Sequence, residues 1–201
     1  MLTISSEDIL DFWFGDQASP VAVNEQKKDL WWAKNDHADA EIRKRFESVC
    51  NAVASGELGE WKNSARGMLA TIVCLDQFPR NIYRGDSRSF AWDPMALACS
   101  RELIKTGMDH QLPAIQRLFG YLPLEHSESL ADQDEMVRLT ADLRGNVEQE
   151  ARGIFDGFHD YALRHREVIA KFGRFPHRNE ILGRTSTHEE LVFLSKPGSS
   201  F

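Results

Sequence analysis

The chain has 201 residues, 42% of them hydrophobic and 27% charged, which suits one globular domain with its own core and excludes a large disordered region. A formal net charge of -7 argues against a general nucleic-acid or anionic-membrane binder, because both polyanions need a concentrated positive surface. Residues 1–14 carry Glu7, Asp8 and Asp11 rather than a secretory signal, no stretch approaches the roughly 18 apolar residues of a membrane span, and Cys50, Cys74 and Cys99 stand far apart among apolar neighbours, so a reduced cytoplasmic protein is expected.

Apolar residues recur at helical spacing almost throughout, and no sustained strand-like alternation is found, so the expected fold class is all-α. Ser5 and Asp8 have capping-box spacing and start a short helix that ends near Gly15. A second short helix carries Leu30, Trp31 and Trp32. Between residues 36 and 55, Ala38, Ile42, Phe46, Val49, Cys50 and Val53 form one stripe, closed by Gly56. Residues 62–77 are apolar on most sides, as in a central buried helix, and Pro79 is expected to end it. Asp93-Pro94 reads as a cap followed by proline in the first helical position, with Gly107 at the far end. Pro113 opens another helix in the same way, which Pro123 should kink or end. Ser127 or Ser129 can cap the next helix, which reaches Gly145. The longest runs from about 147 to 172 with His165 on its inner stripe, and Gly173 stops it. Two short pieces follow, the second beginning at Ser186 or Thr187 with Glu189 or Glu190 completing a capping box. Short polar joints predict antiparallel hairpins over roughly 36–77, 87–124 and 127–172 in a single domain, 1–195, with a flexible tail over 196–201.

Three clusters could carry chemistry. The first surrounds the proline break: Asp76, Arg80, Asn81 and Arg84. A carboxylate on the apolar stripe needs a partner, Arg80, Arg84 or an arginine from elsewhere, and such a pair can simply lock the corner. The second, Glu125 and His126 with Asp132 and Gln133 a turn onward, offers a proton donor or acceptor, or just a polar interhelical turn. The third joins Arg174, His177, Arg178 and Asn179 to Arg184, Thr185 and Ser186. Between Arg164 and Arg184 six basic residues face two acids, a local balance of +4. Arginine forks and hydroxyls at a helix start suit a phosphate or carboxylate. The competing reading pairs these arginines with Asp76, Glu125 or Asp132 across the fold.

The phosphate loop, the dinucleotide fingerprint, the nucleophile elbow and the zinc helix motif are not found, so neither a cofactor nor a metal is indicated. His165 reads as a satisfied core histidine. Trp31, Trp32 and Trp61 could line a groove, though aromatic residues of helical proteins mostly pack. The ligand residues on this reading are Asp76, Arg80, Asn81, Arg84, Arg174, His177, Arg178, Asn179, Arg184, Thr185 and Ser186, with His126, Glu125 and His177 as catalytic candidates.

The stretches 9–15 (ILDFWFG), 75–85 (LDQFPRNIYRG), 122–128 (LPLEHSE), 131–133 and 172–187 (FGRFPHRNEILGRTST) together resemble the bacterial domain of unknown function 924 family, an all-helical group of the TPR-like superfamily. The resemblance implies a TPR-like array of antiparallel helical hairpins and supplies no activity, cofactor or catalytic residue. From the residues themselves the expected function is binding of a small anionic ligand or acidic peptide at the Arg/His/Asn-rich site. The alternatives are a TPR-like scaffold for a protein partner and a hydrolase using His126 or His177.

Overall fold

The computed structural model describes residues 4–199, and every regular element among them is helical. Helix α1 (Ser6–Phe14) begins at a capping box in which Ser5 and Asp8 satisfy each other's backbone N–H groups. Helix α2 (Pro20–Trp32) is longer than the short piece expected, and α3 (Asp36–Ala54) starts where Asn35 accepts from the N–H groups of His37 and Ala38. The stripe read for α3 is buried as expected.

The central segment departs from expectation. After a 3-10 turn at Gly59–Asn63 come α4 (Ala65–Ile72), a π-turn at Val73–Gln77 and α5 (Phe78–Ile82). Pro79 therefore does not end the helix. In the π-turn the Phe78 N–H donates to the Val73 carbonyl, five residues back. That wider turn relieves the clash a proline ring makes with a tight α-helical ladder. Gly67 of α4 sits directly against the Trp61 carbonyl, so close that a Cβ would overlap it.

Helix α6 (Asp93–Lys105) begins after Trp92, and Asp93 does not cap it, because its carboxylate is taken by Arg80. Gly107 follows that helix at φ +70°, the left-handed conformation of a helix stop. Pro113 precedes α7 (Ala114–Glu125) as its cap residue rather than lying inside it, and Pro123 leaves the helix intact to Glu125. Ser100 Oγ donates to the Gly120 carbonyl beside the one whose donor Pro123 removes. Helix α8 (Leu130–Asn146) follows Ser129, while Ser127 donates to Asp132. The longest helix, α9 (Arg152–Phe172), starts later than expected after a 3-10 turn at Gln149–Ala151, and Gly173 stops it at φ +68°. A 3-10 turn at Pro176–Arg178 and α10 (His188–Leu194), capped reciprocally by Thr187 and Glu190, complete the chain. Within the stretch read as a tail, Ser199 is buried and donates to the Leu194 carbonyl, while residues 200 and 201 lie outside the described residues.

Helix α3 packs on the π-turn and α5, α6 on α7, and α8 along α9, matching the hairpin pairs expected. The core is an aromatic column. Phe46 stacks on Phe78 at 5.0 Å, Trp13 meets Phe78 and Phe119 edge-on at 5.4 and 6.0 Å, and Phe14 meets Phe119 at 5.1 Å. All five rings are essentially inaccessible, and such geometries add about 0.5–1.5 kcal/mol per pair beyond area burial. Among the described residues no helix is long and apolar enough to cross a membrane.

Candidate functional site

Among the described residues a cavity of about 740 Å³ is lined by α5, the end of α7, α2, α9 and the Pro176–Arg178 turn. Arg80, Asn81 and Arg84, Glu125 and His126, and His177 and Arg178 all line it. Three clusters spread over a hundred positions of sequence therefore meet at one place.

Asp76 lies behind this surface, fully buried. Its position in the π-turn aims the carboxylate at the end of α7, where Oδ1 is 2.7 Å from His126 Nδ1 and 3.2 Å from Arg80, while Oδ2 accepts from Gln77. Burial favours the protonated acid, but Arg80 and His126 more than offset it and hold Asp76 well below the usual carboxylate range. An ionised Asp76 fixes the His126 proton on Nδ1, which leaves Nε2, without a hydrogen bond among the described residues, as an acceptor. Burial, then Arg80, lower the His126 pKa, so the ring is neutral at neutral pH.

Glu125 is 4% exposed and its carboxyl makes no hydrogen bond among the described residues; His165 Nδ1 stands 3.9 Å away. Burial, with the charge of Asp76, pushes it up to about 8, so it carries a proton at neutral pH. Burial lowers His165 to about 3, and burial with Arg178 lowers His177 to about 4. Two carboxylic acids and three histidines are thus sorted by their surroundings into one proton carrier and several proton acceptors.

Arg80 is saturated by Asp93 at 3.0 and 3.1 Å and by Asp76. Arg178 is 6% exposed and lies between the rings of Phe90 and Phe175, at 4.8 and 4.5 Å. Its Nη1 donates to the His126 carbonyl at 3.0 Å and stands 3.6 Å from Asp93, whereas Nε has no partner among the described residues. Burial and Arg80 pull Arg178 down to about 10, still charged at neutral pH. The lining also includes the large side chains of Trp31, Trp32, Ile154, Phe158 and Tyr161. Trp32 is 47% exposed at the rim and stacks on Phe119 at 5.7 Å.

Besides Asp76, which lies behind the surface, five of the residues read as ligand-binding do not reach this cavity. Arg174 pairs with Glu190 at 2.6 Å and donates to the Thr185 carbonyl, Asn179 donates to Ser186 and Glu190, and Arg184 pairs with Glu128 at 2.8 Å. The start of α10, read as an anion site, is occupied by Glu190 of its own capping box. The +4 segment is likewise answered from elsewhere, by Asp134, Glu190, Glu128 and Asp93 rather than by Asp76, Glu125 or Asp132. Asp132 is held by Arg101, and Arg84 pairs with Asp39 at 2.6 Å. Trp61 lies away from the cavity, and His165, read as a core residue, lines it.

The sequence reading missed Asp93, Phe90 and the α9 wall. The wall had one signal, Gly153 and Gly157 inside a long helix, where glycine is unfavourable by roughly 0.5–1 kcal/mol relative to alanine. Both line the cavity, and a Cβ on either would meet nothing within 4 Å.

Compared with known proteins, the chain matches from residue 9 to residue 198 the family described as "Bacterial protein of unknown function (DUF924)". No curated protein matches it significantly. Among solved structures it is similar to the protein of unknown function ATU0120 from Agrobacterium tumefaciens, with 34% identity, a TM-score of 0.80, and coverage of 94% of this chain and 96% of that one.

Proposed function

The chain belongs to the DUF924 family, and we propose that its cavity binds a small anionic molecule with a flat, apolar body. One observation carries this reading: Arg80, His126 and Arg178, remote in sequence, line the same cavity as Trp32, Phe158 and Tyr161. A volume of about 740 Å³ lies within the usual range of small-molecule sites, which combine apolar walls with a few convergent polar groups. Arg178 supplies the anion's partner, because it lines the cavity and its contact with a carboxylate of the chain, Asp93, is only at 3.6 Å. The arginines line a partly open cavity of small-molecule volume, which favours a small molecule over an acidic peptide or a protein partner.

The test is calorimetry and thermal unfolding with aromatic carboxylates such as benzoylformate, with inorganic phosphate and benzyl alcohol as controls. Benzoylformate at 100 times its Kd should stabilise the chain by about 2.7 kcal/mol. Gly157→Leu, which grows into open space, should abolish that response without lowering stability. Equal responses from wild type and Gly157→Leu, or none to any aromatic carboxylate, would remove the proposal.

A further inference from the structure

The geometry points to proton-transfer catalysis in this cavity: His126, oriented by Asp76, removes a proton from the carbon next to the carbonyl of an aromatic 2-oxo acid, and Glu125 protonates the carbonyl oxygen. The inference rests on the binding reading above, with Arg178 holding the carboxylate and the Trp32, Phe158 and Tyr161 wall holding the ring.

Three features carry it. His126 Nδ1 lies 2.7 Å from a fully buried, doubly paired carboxylate, so its tautomer is fixed and an imidazolium formed during reaction is stabilised in place. Glu125, the preceding residue, reaches the same cavity with a carboxyl that has no hydrogen-bond partner among the described residues. A buried acid left without one is a donor awaiting an acceptor. Finally, the serine of the lining, Ser89, is not poised as a nucleophile: its hydroxyl donates to the Asp86 carbonyl at 2.7 Å. Base and acid without an activated nucleophile fit proton relocation better than covalent hydrolysis.

The step balances within the site. The C–H bond next to the carbonyl breaks, its proton goes to His126 Nε2 and its electron pair forms the C=C bond. The carbonyl π pair moves to oxygen, which takes the Glu125 proton. The product is the enol; His126 then releases a proton to solvent and the Glu125 carboxylate regains one.

Phenylpyruvate is the probe, since deuterium entering at its C3 in D2O is read directly by proton NMR. Benzoylformate is the companion, because it has the same ring, carbonyl and carboxylate but no hydrogen to remove. The wild type should accelerate C3 exchange, and His126→Gln and Glu125→Gln should each lose about 100-fold or more. Gly157→Leu should lose exchange and binding together, and it serves also if either active-site variant fails to fold. Wild-type exchange no faster than buffer, with benzoylformate bound, overturns the inference alone. Exchange that survives His126→Gln overturns it as well, and absence of benzoylformate binding overturns both readings.

Discussion

Asp76 and His126, fifty positions apart, meet at 2.7 Å between Oδ1 and Nδ1, and this contact ties the π-turn to the end of α7. It also joins two of the three polar clusters of the chain, so the same bond serves cavity and fold.

Truncating that carboxylate should therefore be costly. Asp76→Ala leaves the His126 Nδ1–H and part of the Arg80 guanidinium unanswered, and breaking a buried pair from one side typically destabilises by about 3–5 kcal/mol. Asp76→Asn retains an acceptor for His126 and should lose distinctly less. Urea unfolding of the two variants measures the difference; equal losses would mean that charge, and not the acceptor, holds the corner.

Glu125 should make stability fall as pH rises from 4.5 to about 8. Glu125 has its folded pKa raised to about 8 by burial and Asp76, from an ordinary 4.5, so the folded state holds the proton more tightly than the unfolded chain. Its contribution is complete below pH 4.5 and is lost as pH rises through 8. His165 and His177, lowered to about 3 and 4 chiefly by burial, act in the opposite sense. Their contribution is complete above the ordinary value of 6.5 and is lost as pH falls toward those values. Chemical unfolding across pH 4 to 9 should show that Glu125→Gln removes the loss of stability between pH 4.5 and 8 and leaves the opposite contribution of His165 and His177 in place. An unchanged slope between pH 4.5 and 8 would show that Glu125 is ionised in the folded protein.

Two glycines should respond differently to alanine. At Gly67 the obstacle is the Trp61 carbonyl, backbone of a 3-10 turn, whereas at Gly120 it is the movable end of Leu103, 2.7 Å from an added Cβ. Gly67→Ala should cost more than 3 kcal/mol and depress expression, while Gly120→Ala should fall in the roughly 1–3 kcal/mol range of overpacking. Thermal melts of both variants compare them directly, and a Gly67→Ala protein as stable as wild type would contradict the packing described.

The helices were legible in sequence because their signals are local. Ser5 with Asp8, Thr187 with Glu190 and the stripe from Ala38 to Val53 each specify a start or a buried face without reference to the rest of the chain. The candidate site was half legible. Arg80, Glu125, His126, His177 and Arg178 stand out as polar residues at proline corners and all line the cavity, yet Arg174, Asn179 and Arg184 look the same in sequence and hold Glu190 and Glu128 instead, with Thr185 and Ser186 accepting from Arg174 and Asn179. Which arginine meets a carboxylate of the chain and which faces empty space depends on contacts over more than ten positions, and apolar periodicity carries no record of them. Pro79 was misread for a related reason: proline stops an α-helix, but the adjoining π-turn is set by packing against α3 and α7.

That π-turn amounts to one residue more than an α-helical segment of the same span would contain, and each residue of an α-helix turns the chain by about 100°. The cavity floor thus depends on an insertion. Removing a single residue between Val73 and Gln77 would restore a continuous α-helix, swing Arg80 and Asn81 about a quarter-turn away from His126, and drive the Pro79 ring into the preceding carbonyls. Substitutions along this segment alter packing by degrees, whereas a change in its length would dismantle the polar floor in one step.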